Sequence, residues 1–152
     1  MKILISACVF GENVRWNNTN RHNKEIIQWA KDNGFELIPI CPEHELFGTP
    51  RKSIRLRQKD DEVLAIMGNQ NVYLKLNKKC KEISERFDDV VGFIGISNSP
   101  SCGLSVGVKD RGSTMKAPMH QVLDCPTTEI SSMKSAKNQE LFLRRVRKYE
   151  AR

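Results

Sequence analysis

Three short apolar runs, separated by helical patterns, most restrict the fold that this chain of 152 residues can adopt. Lys2–Ala7, Phe35–Ile40 and Val90–Ser97 are too short for helices, so we predict that they form strands. Strands that alternate with helices imply right-handed crossovers and a parallel sheet covered by helices. We therefore expect an α/β fold, a small Rossmann-like three-layer domain with a mainly parallel sheet.

The spacing of apolar residues between and after these runs indicates amphipathic helices. Helices are predicted at residues 20–33, 71–87 and 138–150. Asn20 is a suitable cap for the first helix and Gly34 a suitable end. Residues 42–59 contain Pro and Gly and are predicted to be a loop, apart from a strand-like alternation at 54–57, and residues 98–113 form a second predicted loop.

The length is typical of one domain, so we expect residues 1–152 to form a single unit. Within it, residues 129–152 are a C-terminal extension that ends in a helix. No apolar run approaches the roughly 18 residues of a membrane span, and Ile3–Phe10 lacks the cleavage site of a signal peptide. With five cysteines and no secretion signal, we expect a cytoplasmic protein whose thiols are free, metal-bound or catalytic.

The charge balance and the glycine pattern narrow the range of ligands. Twenty-five basic and eighteen acidic residues leave a net charge of +7, which favours an anionic partner such as a phosphate, a nucleotide or a nucleic acid. A net charge of this size is equally compatible with a role in solubility alone. Neither G-x-G-x-x-G after the first strand nor G-x-x-x-x-G-K-[ST] occurs, so a dinucleotide or a P-loop triphosphate is not supported.

A cysteine follows each of the three predicted strands. Cys8 follows the first strand, Cys41 the second, and Cys102 lies in the loop after the third. Because ligands bind beyond the carboxyl ends of parallel strands, we expect the three thiols to form one soft-ligand site. Zinc, with His22 or His44 as a fourth ligand, and an iron–sulfur cluster both suit three thiolates. A cluster on three cysteines would leave one iron open for substrate.

Other polar groups lie near these cysteines in the sequence. Glu43 could position or deprotonate a water beside a metal, and the hydroxyl-rich segment 97–103 could hydrogen-bond a cluster sulfur or a heterocycle. The basic run 51–59 could hold a phosphate. Ordinary solvated loops and turns explain the same compositions. Cys80 lies in the apolar stripe of a predicted helix and Cys125 has no evident partner, so we interpret both as structural.

Three sequence blocks resemble the signatures of the thiouracil desulfurase (TudS-like) family. The blocks are Ser6–Arg15, then Pro39–Glu43 with Thr49–Arg51, and Ser99–Gly103. They occur in the family's order within residues 1–105. The resemblance implies a Rossmann-like domain that carries a [4Fe-4S] cluster on Cys8, Cys41 and Cys102.

The resemblance also implies an activity and its residues. Sulfur would be removed as hydrosulfide, without net redox change, from thiolated uracil bases or nucleotides such as 4-thiouridine monophosphate. The catalytic carboxylate would correspond to Glu43 and the catalytic serine to Ser99 or Ser101, with Ser101 slightly less favoured because it directly precedes a ligand. For substrate binding we expect Arg15, Arg51 and Asn98.

The chain departs from the family pattern at Trp16-Asn17 and at Phe47-Gly48. Residues 129–149 resemble the linking region of longer two-domain relatives that are associated with 4-thiouridine in tRNA. Two alternatives therefore stay open. One is desulfuration of 4-thiouridine in tRNA, and the other is a non-enzymatic, zinc-stabilised module that binds nucleic acid.

Overall fold

The computed structural model describes all 152 residues. In chain order its elements are β1 (Lys2–Ser6), α1 (Ala7–Phe10), α2 (Lys24–Asp32), β2 (Glu36–Ile40), α3 (Pro42–Phe47), β3 (Ile54–Lys59), β4 (Glu62–Met67), β5 (Gln70–Asn71), α4 (Tyr73–Arg86), β6 (Val90–Gly95), β7 (Val106–Gly107), β8 (Thr114–Met115), α5 (Pro118–Val122), β9 (Thr127–Glu129) and α6 (Ala136–Glu150). A short 3₁₀ helix, Ser132–Lys134, precedes α6. None of these helices has the length and the apolar content needed to cross a membrane.

The central sheet is parallel throughout, with the strand order β2-β1-β6-β9. Helices cover both of its faces, so the predicted three-layer α/β fold with a mainly parallel sheet is confirmed. On one face Ile3 and Ile5 pack with Trp29 of α2 and Phe142 of α6. On the other face Leu4 packs in a cluster with residues of α4 and α5. Because the side chains of a strand alternate between faces, β1 serves both cores and is buried from Ile3 onwards.

A second, antiparallel sheet, β3-β4-β5, has a smaller apolar core of its own. The predicted strand-like alternation at 54–57 is confirmed as β3, in which Ile54 and Leu56 are buried while Arg55 and Arg57 are exposed. The sequence analysis did not predict β4, which pairs with β3 along its whole length. This hairpin stands beside the predicted cysteine site.

Three predicted segments differ from the structure. One is the predicted loop at 98–113, in which Val106–Gly107 form β7 by pairing with β8. The first helix begins at Lys24 rather than at residue 20, because the Asn23 side chain caps it by accepting a hydrogen bond from the Ile26 amide at 3.1 Å. Residues 42–47, predicted as loop, form α3. Its first residue, Pro42, lacks an amide hydrogen at a position where a helix does not need one. The predicted helices at 71–87 and 138–150 are confirmed as α4 and α6.

The carboxyl ends of three central strands lead directly into polar segments. β1 continues into the single turn of α1, β2 into α3, and β6 into an irregular loop. We call residues 97–104 the Cys102 loop. These three connections lie at the same edge of the sheet, which is the usual place for a ligand in parallel α/β proteins.

Candidate active site

A cavity of ≈ 980 Å³ lies at the carboxyl edge of the central sheet. The three cysteines and all the residues that were predicted as catalytic or substrate-binding groups line it, whereas His44, a possible zinc ligand, does not. The lining cysteines, catalytic groups and substrate-binding groups are Cys8, Cys41, Cys102, Glu43, Ser99, Ser101, Arg15, Arg51 and Asn98. The topology therefore brings together residues that lie far apart in the sequence.

Three free thiols face this cavity, from Cys8 in α1, Cys41 just before α3 and Cys102 in its loop. Burial raises the pKa of Cys8 and of Cys102, and it raises that of Cys41 to about 11. The three groups also influence one another, because a charge on Cys41 further raises the pKa of Cys102 and a charge on Cys8 that of Cys41. A cationic group bound between the three thiols would offset this repulsion between thiolate charges.

The three thiols are a donor set that suits an iron–sulfur cluster. No group of three or more His, Cys, Asp or Glu side chains is arranged to hold one ion. His44, one of the predicted fourth ligands for zinc, bonds to Thr49 Oγ1 instead, at 2.6 Å. The buried hydroxyl of Ser6 lines the cavity without a hydrogen-bond partner, so it can donate to a bound group. Burial raises the pKa of the Cys102 thiol, and the hydrogen bond from the Ser101 hydroxyl opposes this rise. Such hydroxyl donors favour a thiolate and thus a cluster ligand.

Glu43 is the only acidic residue that lines the cavity. It lies in the first turn of α3 and is buried, with 8% of its surface exposed. The Ser101 hydroxyl donates to Glu43 Oε2 at 2.8 Å, and Arg51 Nη2 lies 3.8 Å from Oε1. Burial raises the pKa of Glu43, while the hydrogen bond from Ser101 and the charge of Arg51 act against this rise. The site therefore contains a carboxylate suited to accepting a proton.

The two candidate serines have different partners. Ser101 Oγ lies within 2.8 Å of Glu43 and 3.6 Å of Cys102 Sγ, so it connects the carboxylate with a thiol. Ser99 Oγ accepts a hydrogen bond from the Cys102 amide at 3.0 Å and lies 3.3 Å from Ser101 Oγ. Ser99 thus helps to shape the Cys102 loop, whereas Ser101 contacts both the Glu43 carboxylate and the Cys102 thiol.

Arginines dominate the charge of the cavity. The Arg51 side chain is only 6% exposed, and its Nη1 donates to Val14 O, Gly48 O and Thr49 Oγ1 at 2.8 to 3.1 Å. Arg15, Arg21 and Arg55 also line the cavity, and none of these three forms an ion pair. They can therefore bind an anionic part of a ligand.

Several residues near the predicted site lie outside it. Glu45 does not line the cavity and pairs with Arg86 at 2.7 Å. Arg57 of the basic run pairs with Asp110. Cys80 is fully buried in a core cluster that also contains Cys102 and Cys125. Unlike Cys102, neither Cys80 nor Cys125 lines the cavity.

Three residues that support the Cys102 loop were missed by the sequence analysis. Gly95, at the end of β6, allows the Cys102 carbonyl to pack so closely that a Cβ there would overlap it. His120 Nε2 lies 2.8 Å from the same carbonyl oxygen, and Glu129 receives a hydrogen bond from the Leu104 amide at 2.9 Å. Glu129 lies at the end of a parallel strand, as the predicted site residues do. Its strand has only three residues, which is too short to recognise from a sequence pattern.

Comparison with known proteins supplies a family and a fold neighbour. The family model described as 2-thiouracil desulfurase matches residues 3–129. Among solved structures, the chain is similar to one described as a [4Fe-4S]-dependent thiouracil desulfidase, TudS. The two are 18% identical, the match covers 94% of this chain and 97% of that chain, and the TM-score is 0.71. At this identity the likeness shows a shared fold. No curated protein matches the chain.

Proposed function

The chain belongs to the 2-thiouracil desulfurase family, and on that premise we propose that it is an iron–sulfur-dependent desulfurase of thiolated uracil bases or nucleotides. In this reaction water replaces sulfur at the ring carbon. C=S and H₂O become C=O, HS⁻ and H⁺, with no net oxidation or reduction. The observation that carries the proposal is the Ser101–Glu43 hydrogen bond of 2.8 Å in a cavity walled by three cysteines.

Cys8, Cys41 and Cys102 would hold a [4Fe-4S] cluster. When bound, the cluster would supply an iron that no protein thiolate occupies and that can attract the soft sulfur of a thiocarbonyl group. The Ser101 hydroxyl, 3.6 Å from the Cys102 sulfur, helps that sulfur to carry negative charge. Because cysteine thiolates and such clusters survive best under reducing conditions, the cytoplasm is the compartment that we propose.

Glu43 would act as the general base. Its carboxylate takes a proton from the attacking water, and burial, which raises its pKa, makes it a better proton acceptor. The guanidinium of Arg51, 3.8 Å from Oε1, keeps the carboxylate available as an anion. Arg51 thus acts through Glu43, since its other amino group is already occupied by three acceptors of the protein.

Ser101 is the serine that we propose to be catalytic. Its hydroxyl donates to Glu43 before the reaction, and this acceptor weakens once Glu43 is protonated. The hydroxyl can then donate to the substrate, where negative charge develops as water attacks. Ser99 is less suited to this step because the 2.8 Å hydrogen bond to Glu43 comes from Ser101, whereas Ser99 Oγ holds the Cys102 amide.

The arginines without ion pairs favour a nucleotide over a free base. Arg15 and Arg55 line the same cavity as Glu43 and can bind a phosphate by charge-assisted hydrogen bonds. Asn98, also in the lining, offers an amide that can bond to the edge of a pyrimidine. A substrate such as 4-thiouridine monophosphate matches these groups.

Desulfuration of 4-thiouridine in tRNA is the second candidate. The observation that favours it is a further cavity of ≈ 320 Å³ that shares Arg55 and Asn98 with the first and extends to Lys109. A longer nucleic acid could follow this basic extension because each phosphate would meet a cation.

One experiment tests both candidates. Protein reconstituted without oxygen is assayed for iron, sulfide and hydrosulfide release from 4-thiouracil, 4-thiouridine monophosphate and tRNA that contains 4-thiouridine. We expect the loaded protein to act on the nucleotide and the cluster-free protein to be inactive. Equal turnover without iron, or no release from any of the three substrates, would overturn the proposal. Preference for tRNA would favour the second candidate.

A further inference from the structure

Glu129 is the last residue of β9 and is buried, with 6% of its surface exposed. Its carboxylate accepts three hydrogen bonds. Ser97 Oγ and Ser131 Oγ donate to Oε1 at 3.1 and 2.6 Å, and the Leu104 amide donates to Oε2 at 2.9 Å. Burial alone would raise the pKa of Glu129, but the hydrogen bonds from Ser131, Leu104 and Ser97 outweigh it and lower the pKa. The group is therefore held as an anion.

Two of the three donors are the first and the last residue of the Cys102 loop. A single carboxylate thus joins Ser97 to Leu104 across the base of the loop that carries Ser101 and Cys102. Inside the loop, the Gly103 amide donates to Ser99 O at 2.9 Å. The two ends of the loop do not bond to each other. Helix α5, with the residue before it, holds the middle of the loop, through the Met119 amide on Ser101 O and the Ala117 amide on Gly103 O, whereas Glu129 is the side chain that bonds to both ends.

We propose that Glu129 is a positioning residue, whose carboxylate fixes both ends of the Cys102 loop and thereby the places of Ser101 and Cys102. The chemical roles of Ser101 and Cys102 rest on the proposed function, whereas the positioning of the loop by Glu129 does not. Glu129 does not line the cavity, so it acts on the site only through the loop.

The test measures how fast Cys102 reacts with iodoacetamide in the full-length, cluster-free protein, with Cys80 as an internal reference. Both thiols are buried in the same core cluster, but Cys80 is held by α4 and not by the Cys102 loop. In E129A we expect the labelling of Cys102 to rise about tenfold or more, because each lost hydrogen bond to a charged group shifts a local opening equilibrium by about that factor. The labelling of Cys80 should stay unchanged.

Two variants serve as controls. E129Q can turn its amide oxygen towards the Leu104 amide and its NH₂ group towards the serine hydroxyls, which can also accept. It should therefore keep the rate of Cys102 labelling within about threefold of the wild type. E140A removes an exposed glutamate of α6 that pairs with Arg144, and it should leave both rates unchanged.

In the reconstituted enzyme, E129A should lower kcat and E129Q should restore most of it. Unchanged Cys102 labelling in E129A, or equal increases at Cys102 and Cys80, would overturn the positioning role. If the loaded wild-type enzyme releases no sulfur from any thiolated uracil, the proposed function fails, while the labelling rates still decide the role of Glu129.

Discussion

The Ser101 hydroxyl donates a 2.8 Å hydrogen bond to Oε2 of Glu43, although 58 positions separate the two residues. Glu43 is placed by α3 after the second strand, and Ser101 by the loop after the third parallel strand of the chain. Both are buried, so the bond is shielded from water and strengthened by the low dielectric around it. The catalytic part of the proposal depends on this pair.

Replacing Glu43 by Gln should abolish proton acceptance while leaving the shape of the side chain intact. We expect kcat for 4-thiouridine monophosphate to fall about 100-fold or more, the usual contribution of a general base, with the iron content unchanged. The matched control is Glu45→Gln on the same helix, since Glu45 pairs with Arg86 outside the cavity. Turnover that survives Glu43→Gln would assign the base to another group.

The two serines can be separated by single alanine variants. Ser101→Ala removes the donor to Glu43, and we expect kcat to fall about 100-fold, as for the loss of one donor that stabilises developing charge. Ser99→Ala removes the acceptor for the Cys102 amide and a longer contact of 3.3 Å with Ser101 Oγ, so its effect should stay within about tenfold. Rates and iron content are measured for both. A larger loss in Ser99→Ala would reverse the assignment.

Gly95→Ala tests whether the close packing behind Cys102 is needed for the site. An added Cβ would overlap the Cys102 carbonyl and lie 2.8 Å from His120 Nε2, so the loop would have to move. We expect a loss of about 2–3 kcal/mol in the free energy of unfolding, typical of overpacking, and reduced iron content after reconstitution. Gly107→Ala is the control, because nothing lies within 4 Å of its Cβ position. Equal iron content in both variants would contradict the prediction.

The sequence predicted the central sheet and the site because both follow from strong, local patterns. Each apolar run of the parallel sheet ends near a cysteine, and the rule that carboxyl ends meet at one edge then places Cys8, Cys41 and Cys102 together. The helices at 71–87 and 138–150 were predicted for the same reason, since each carries an apolar stripe over several turns.

The remaining parts depend on contacts that are distant in sequence. α3 has six residues, too few for a periodic pattern, and β9 has three and is defined only by pairing with β6. The choice between Ser99 and Ser101 depends on the conformation of the Cys102 loop, where Asn98 has a φ of 60°. Spacing in the sequence does not encode this backbone turn, so the sequence left both serines open.

Arg15→Ala tests the phosphate contact. Arg15 lines the cavity and forms no ion pair that competes for it. We expect KM for 4-thiouridine monophosphate to rise about tenfold, the usual effect of one charge-assisted hydrogen bond, whereas KM for 4-thiouracil should not change. Arg144→Ala, on the exposed side of α6, should alter neither value. An equal rise for base and nucleotide would show that Arg15 does not bind the phosphate.

The pH dependence of stability should reveal the ionised state of Glu129. Its pKa in the folded protein lies below the ordinary value of 4.5 because the hydrogen bonds to its carboxylate outweigh burial. A lowered pKa stabilises the fold fully above the unfolded value, and this contribution is lost as the pH falls through the folded value. The wild type should therefore be more stable than E129Q at pH 7, and the difference should shrink steadily below about pH 4.5. Urea unfolding of both proteins between pH 3 and pH 7 measures it. A difference that grows as the pH falls would mean that the carboxyl group is protonated in the folded state.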